Sequence, residues 1–245
     1  MKIKYFLILT LCFFQFSISQ STQENNNAIE PRYLIDKPTA GMLQQGSFSL
    51  NLDFFQEGGS VVYLNTAVTP KLSFGISFGG NNIIGDKNVK WNKSAGVNVK
   101  YRIVEEEEQI PAIAIGFDSQ GKDAFLVDSN RYMIKSPGFF IVASENIDFL
   151  GYLSIHGGIN KSLEDDDDKD VNGFIGLEKT LGDDFSFVAE YDFGFNDNDN
   201  KSFNTGLRFS LSSGFCIGVN LKKIKTEKKF EIGNRTLFVE YIKTF

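Results

Sequence analysis

Hydrophobic and polar residues alternate along most of this chain with a period of two, the pattern of strands that have one apolar and one polar face. Phe48, Leu50, Leu52 and Phe54 alternate with Ser47, Ser49, Asn51 and Asp53. Leu72, Phe74, Ile76 and Phe78 alternate with Ser73, Gly75, Ser77 and Gly79. Phe185, Phe187, Ala189, Tyr191 and Phe193 form another apolar side, as do Phe203, Thr205, Leu207 and Phe209. The alternation and the turn residues between runs predict twelve strands, at 46–56, 60–69, 70–79, 94–103, 111–118, 137–145, 148–160, 171–181, 184–193, 202–211, 214–223 and 235–245. In 137–145 the pattern is ambiguous, because Phe139, Phe140, Ile141 and Val142 are apolar on both sides.

The connections carry separate information. Tight links at Pro70, near Asn146, at Gly182-Asp183-Asp184 and at Ser212-Ser213 alternate with long ones at 80–93, 119–136, 161–170 and 224–234. Only the short QEGG link and the EEEEQ link depart from this. Short turns at one end and long loops at the other, with an even strand count, are what an up-and-down barrel with both termini in the periplasm requires. The closing segment also ends on an aromatic, Phe245, behind Leu237, Val239 and Tyr241, and resembles the insertion signal of outer-membrane barrels. The expected fold is therefore all-β: an up-and-down antiparallel transmembrane β-barrel of about 12 strands. Its apolar sides would face the outer-membrane lipid of a diderm bacterium, with Tyr101, Tyr191, Tyr241 and Phe245 at the interfaces. The alternative is a secreted soluble β-protein whose apolar sides pack on one another.

The N-terminus fits export. Lys2 and Lys4 precede an apolar run from Tyr5 to Phe16, and Ser17-Ile18-Ser19 places small residues before a cleavage site at Gln20. Cys12 lies inside the apolar run behind the bulky Leu11, which argues against a lipoprotein site. The division is then a signal peptide at 1–19, a polar tail or lumen plug at 20–45, and the barrel at 46–245. Composition agrees with a barrel: 25 Phe and 23 Gly in 245 residues, with a mean hydropathy of only −0.16, because alternation hides the apolar faces from an average. The formal charge of −6 argues against a nucleic-acid partner. Cys216 is the only cysteine left after cleavage, so no intramolecular disulfide can form.

With the apolar sides outward, the alternate positions line the lumen. The candidate pore-lining charges are Lys100, Arg102, Asp118, Glu178, Glu190, Asp192, Arg208, Lys222 and Glu240, and Asp53, Asn98, His156, Asn204 and Asn220 share their side. A Lys or Arg against lipid at mid-bilayer costs ~2–4 kcal/mol, so confinement to one side is a physical constraint. Such charges can pair across the lumen and brace the barrel, or line a polar path that selects a solute. Interleaved opposite signs bridge more naturally than they select. The first functional expectation is a non-enzymatic narrow pore or accessory protein in envelope transport, with a polysaccharide or envelope protein as partner. The second is a closed barrel whose outer loops bind a partner or glycan, with Trp91 and Tyr132 as contacts. A third, an outer-membrane hydrolase, would rest on Ser154 and His156, two apart on one strand.

Metal chemistry finds little support. His156 is the sole histidine. Asp168, Asp170, Asn172 and Gly173 match the opening of a calcium loop, but Lys179 stands where the closing glutamate belongs. They are at most weak metal candidates, and no cofactor is expected. The acidic runs at 161–170, 195–200 and 105–108 read as solvated loops and a polar turn.

Four stretches are familiar: PAIAIGFDSQG (111–121), YMIKSPGFFIVAS (132–144), HGGINKSLEDDDDKDVNGFIGLEKTL (156–181) and AEYDFGFNDND (189–199). They resemble a group of uncharacterised bacterial outer-membrane barrels, distantly similar to the barrel of YjbH-like exopolysaccharide-associated proteins. The resemblance spans roughly 38–245 and implies an outer-membrane barrel connected with surface polysaccharide. It implies no catalytic residues.

Overall fold

A computed structural model describes residues 30–164, 171–195, 201–211, 214–225 and 231–245. The strands are β1 (Ser47–Phe55), β2 (Gly59–Thr69), β3 (Leu72–Asn81), β4 (Lys90–Trp91), β5 (Gly96–Val104), β6 (Ala112–Asp118), β7 (Lys122–Leu126) and β8 (Arg131–Ile134). They continue with β9 (Gly138–Asp148), β10 (Tyr152–Lys161), β11 (Asn172–Thr180), β12 (Phe185–Asp192), β13 (Ser202–Leu211), β14 (Phe215–Lys225) and β15 (Glu231–Thr244). Twelve of these form a single antiparallel ring, in the order β1, β2, β3, β5, β6, β9, β10, β11, β12, β13, β14 and β15. The pairing of β15 with β1, from Ser47↔Thr244 to Phe54↔Leu237, closes it. Closure leaves no strand edge, which is how a β-structure satisfies its backbone in lipid.

Each predicted strand corresponds to one ring strand. The differences are local. The turn expected near Asn146 lies at 149–151, where Leu150 (φ 48) and Gly151 (φ +95) reverse the chain in left-handed conformations, so β9 runs on to Asp148. The connection expected at 224–234 is shorter, because β14 and β15 extend into it. The loop expected at 119–136 is not irregular throughout: β7 and β8 pair within it as a hairpin.

The apolar sides face outward. Phe74, Ile76 and Phe78 are exposed on β3, as are Phe139 and Ile141 on β9, Ile155 and Ile159 on β10, and Leu207 on β13. The alternate side, with Ser49, Lys100, Asp118, Glu190 and Lys222, is buried in the lumen. A soluble β-protein would reverse this arrangement, and a continuous apolar exterior is stable only against lipid. Trp91 stacks on Phe78, with ring centroids 5.7 Å apart, and so belongs to the outer surface of the wall.

Two departures from strict alternation matter for the lumen. Phe140, Val142 and Phe174 point inward and pack with Ala112, Ala114 and Ala40, and Val188 packs with Leu34 and Ile35. This resolves the ambiguity of 137–145: Phe139 and Ile141 face out, Phe140 and Val142 in. Ala40, Leu34 and Ile35 come from the segment before the first strand, which is therefore inside the barrel.

Candidate functional site in the barrel lumen

Residues 30–45 enter the lumen at the end that holds both barrel termini and fold back as a hairpin, with Tyr33 bridged to Pro38 and Leu34 N–H donating to Lys37 carbonyl at 2.8 Å. The sequence of this segment carries no strand periodicity, and its conformation is set by what the wall offers. Its backbone is satisfied mainly by wall side chains. On one side Lys100 Nζ donates to the carbonyls of Arg32 (2.9 Å), Thr39 (3.0 Å) and Gly41 (3.1 Å). Arg102 on the same strand donates to Ala40 carbonyl at 2.8 Å and pairs with the Glu30 carboxylate. Arg208 on β13 donates to Tyr33 carbonyl at 2.7 Å and to Leu34 carbonyl, and pairs with Glu178 at 2.8 Å.

The hairpin tip presents donors instead. The Glu190 carboxylate accepts the N–H groups of Ile35 (2.9 Å), Asp36 (3.0 Å) and Lys37 (3.1 Å). Consecutive backbone N–H groups converging in this way form a natural anion cradle. The hairpin charges also pair with the wall: Arg32 with Glu240, Lys37 with Asp192, and the Tyr33 hydroxyl with Asp118. Burial, with the Asp118 carboxylate adding to it, raises Tyr33 well above the usual phenol range.

All nine charged residues expected in the lumen lie on the inner wall and engage the hairpin or each other. Lys100, Arg102, Asp118, Glu190, Asp192 and Glu240 bind the hairpin. Arg208 binds it while holding Glu178, and Ser186 Oγ donates to Glu178 at 2.6 Å. Lys222 is the junction of three parts of the molecule. Its Nζ lies 2.6 Å from Asp36 of the hairpin tip and 3.1 Å from Asp123 of the inward-folded β7–β8 hairpin. Asn204 donates to the other oxygen of Asp36, and Asn234 to the other oxygen of Asp123.

The loop that carries Asp123 thus enters the lumen from the end opposite the termini. Asp123 has φ +63, and Gln120, Asp123 and Tyr132 are buried. Lys122 pairs with Asp53 at 3.0 Å and lies over the Tyr63 ring. Burial lowers its pKa, but the Asp53 and Asp36 carboxylates outweigh this, and the net shift is upward. The expectation that Tyr132 is an outer-loop contact is corrected: it is buried beneath Phe125 and packs edge-on against it. Trp91 also sits on the apolar outer wall rather than over the lumen mouth. A cavity of about 110 Å³ in the lumen is lined by Arg32, Tyr33, Asp53, Tyr63, Lys100 and Asp118 among others.

The hydrolase pair is not assembled. Ser154 Oγ donates to Asn146 at 2.5 Å, while His156 Nδ1 meets Ser144 Oγ at 2.8 Å, and that hydroxyl accepts Ala40 N–H. Serine and histidine therefore serve different neighbours, and nucleophilic activation needs them joined. Of the weak metal candidates, Asp168 and Asp170 lie outside the described residues. Asn172 opens β11 and bonds Asp192. The signal peptide expected at 1–19 and residues 20–29 also lie outside the described residues.

A closed twelve-stranded antiparallel ring with a polar interior and an apolar exterior is a porin-like barrel of the outer-membrane type. A solved structure of the KdgM porin in complex with disordered oligogalacturonate aligns with a TM-score of 0.50 at 12% identity, covering 80% of this chain and 98% of that one. A second KdgM porin structure aligns at 0.49 and 11% identity over 81% and 99%. The NanC porin aligns at 0.42 and 8% identity over 81% and 99%. At these identities the likeness is one of fold. No curated protein matches the sequence. The YjbH family model, described as exopolysaccharide biosynthesis protein YbjH, matches residues 33–149. The resemblance to that family thus covers most of the hairpin as well as the first half of the barrel wall.

Proposed function

We propose that this chain is a non-enzymatic, porin-like protein of the outer membrane of a diderm bacterium. It rests closed by its own N-terminal hairpin and provides a narrow passage for saccharide chains when the hairpin withdraws. The observation that carries this reading is how the hairpin is held. Lys100, Arg102, Arg208 and Glu190 grip its backbone through hydrogen bonds, so its departure would uncover charged side chains beside the smaller apolar patch of Phe140, Val142, Phe174 and Val188. Water can replace such contacts one by one, since a hydrogen bond to a charged group contributes ~1.5–3 kcal/mol against solvent. The saccharide class is supported by the exopolysaccharide description of the matching family and by the oligogalacturonate complex of the KdgM porin. A surface polysaccharide, or an envelope protein that delivers it, is the partner this reading implies.

Liposome swelling tests it. Vesicles carrying the chain without residues 30–45 should swell in isotonic solutions of neutral di- and trisaccharides, and vesicles carrying the full chain should swell much more slowly. Equal, negligible swelling from two correctly folded proteins would sink the reading. It would favour the other one, a permanently closed barrel that presents its loops. The feature on that side is Lys222, which ties the N-terminal hairpin to the β7–β8 hairpin and so seals the lumen from both ends.

A further inference from the structure

The wall cations do not all depend on the hairpin to the same degree. Arg208 keeps Glu178 and Lys222 keeps Asp123 whether or not the hairpin is seated. Lys100 and Arg102 differ, since every side-chain hydrogen bond and ion pair described for them is to the hairpin. Asp118, on the adjoining strand, is engaged by the Tyr33 hydroxyl and by Gln120 N–H rather than by Lys100. Withdrawal of the hairpin would therefore leave two neighbouring cations on one strand without a hydrogen-bonded anion, with Asp118 the carboxylate that shares the cavity with Lys100. Water entering the lumen would solvate them, and an incoming anion would meet two cationic donors already set in place.

The seated hairpin shows the chemistry that fits. The Arg102 guanidinium reaches both oxygens of the Glu30 carboxylate, using Nη1 for one and Nη2 for the other, the fork geometry that suits a planar carboxylate. Two residues along, Lys100 gathers three neutral carbonyl oxygens, and Ser73, Asn65 and Asn98 line the cavity beside it. One site thus prefers a carboxylate, and the next prefers a cluster of uncharged oxygens with amide and hydroxyl groups nearby.

Building on the pore reading, we infer that Arg102 and Lys100 form a subsite for an acidic saccharide of the uronate class, at the termini end of the lumen. Glu30 is the occupant that the chain itself supplies when closed. Arg102 takes the uronate carboxylate, and Lys100 with its polar neighbours takes ring and hydroxyl oxygens. A polyanionic chain arriving from that end competes with Glu30, so that its binding and the hairpin's release favour each other.

The test uses the refolded full chain and trigalacturonate as probe, with maltotriose as the neutral control, by titration calorimetry. Trigalacturonate should bind and maltotriose should not. Glu30→Gln removes the internal competitor and should tighten binding several-fold. Arg102→Gln should weaken it by roughly tenfold or more, the usual weight of a bond to a charged group, and Arg102→Lys should recover part of the loss. Folding of each variant is read from its heat-modifiable gel shift. Affinity that is unchanged in a folded Arg102→Gln protein, or equal for the acidic and neutral sugars, overturns the subsite. Should Arg102→Gln fail to fold, Glu30→Gln decides alone, and unchanged or absent trigalacturonate binding in it overturns the inference. Sugar permeation through the hairpin-deleted chain without any uronate binding would leave the pore standing and remove only the subsite.

Discussion

Lys222 offers the sharpest quantitative test of how the hairpin is seated. Its ammonium is almost wholly buried, with 4% of the side chain accessible, and it sits between Asp36 and Asp123. Replacing it with methionine keeps the length and removes the charge. In the seated state Asp36 is then a buried carboxylate whose remaining direct side-chain bond is from Asn204 at 3.1 Å. In the withdrawn state Asp36 is in water. Asp123 loses its cation in both states, so its contribution largely cancels and the shift belongs to Asp36. Breaking one side of a buried pair costs ~3–5 kcal/mol. Taking the lower end, about 3 kcal/mol, the withdrawn population rises roughly 100-fold or more. A reporter cysteine at Met42, which is buried on the hairpin's returning leg, can follow this in a Cys216→Ser background. Its labelling by a polar maleimide should track the withdrawn fraction, and Lys222→Met should accelerate it by about two orders of magnitude. Adding Asp36→Asn should restore much of the protection, because the pair is then neutral on both sides. Labelling in Lys222→Met within twofold of the parent would refute the reasoning.

The other predictions rest on single contacts. Glu190→Gln keeps the shape but loses the charge that three N–H groups share, and Met42→Cys labelling should rise by roughly tenfold. Phe174→Ala opens a cavity against Ala40, Phe140 and Val142 and should cost about 3 kcal/mol or more, read from urea unfolding in detergent. Ser154→Ala and His156→Ala should leave any lipid hydrolysis by the preparation unchanged, since neither residue activates the other. Loss of a measurable hydrolysis in both would contradict that.

How much of this was legible in the sequence follows from the range of the interactions involved. Strands that face lipid on one side and a polar lumen on the other must alternate, so β1, β3, β12 and β13 announce themselves in nearest-neighbour pattern. The same alternation places the nine charged side chains on the inner wall. It says nothing about what they touch. The hairpin at 30–45 has no period because its backbone is bonded to side chains as far away as Glu190 and Arg208, and its Asp36 carboxylate to Lys222. Segment 137–145 was ambiguous for the same cause: Phe140 and Val142 are apolar because Ala40 packs on their cluster. Tyr132 looked like a surface aromatic because nothing local shows that its loop folds inward. One signal could have pointed to the hairpin. Lys100 and Arg102, neighbours on one face of a strand, need partners, and the polar segment 20–45, one of whose two readings was a lumen plug, can supply them.

Single-channel conductance measures the central claim most directly. The full chain and the chain lacking residues 30–45 would be refolded, confirmed by heat-modifiable shift, and placed in planar bilayers under the same salt. The plugged-barrel account predicts long closed periods for the full chain and a steady, salt-dependent conductance once the hairpin is gone. Two folded barrels that stay equally silent, or that conduct equally, would contradict it.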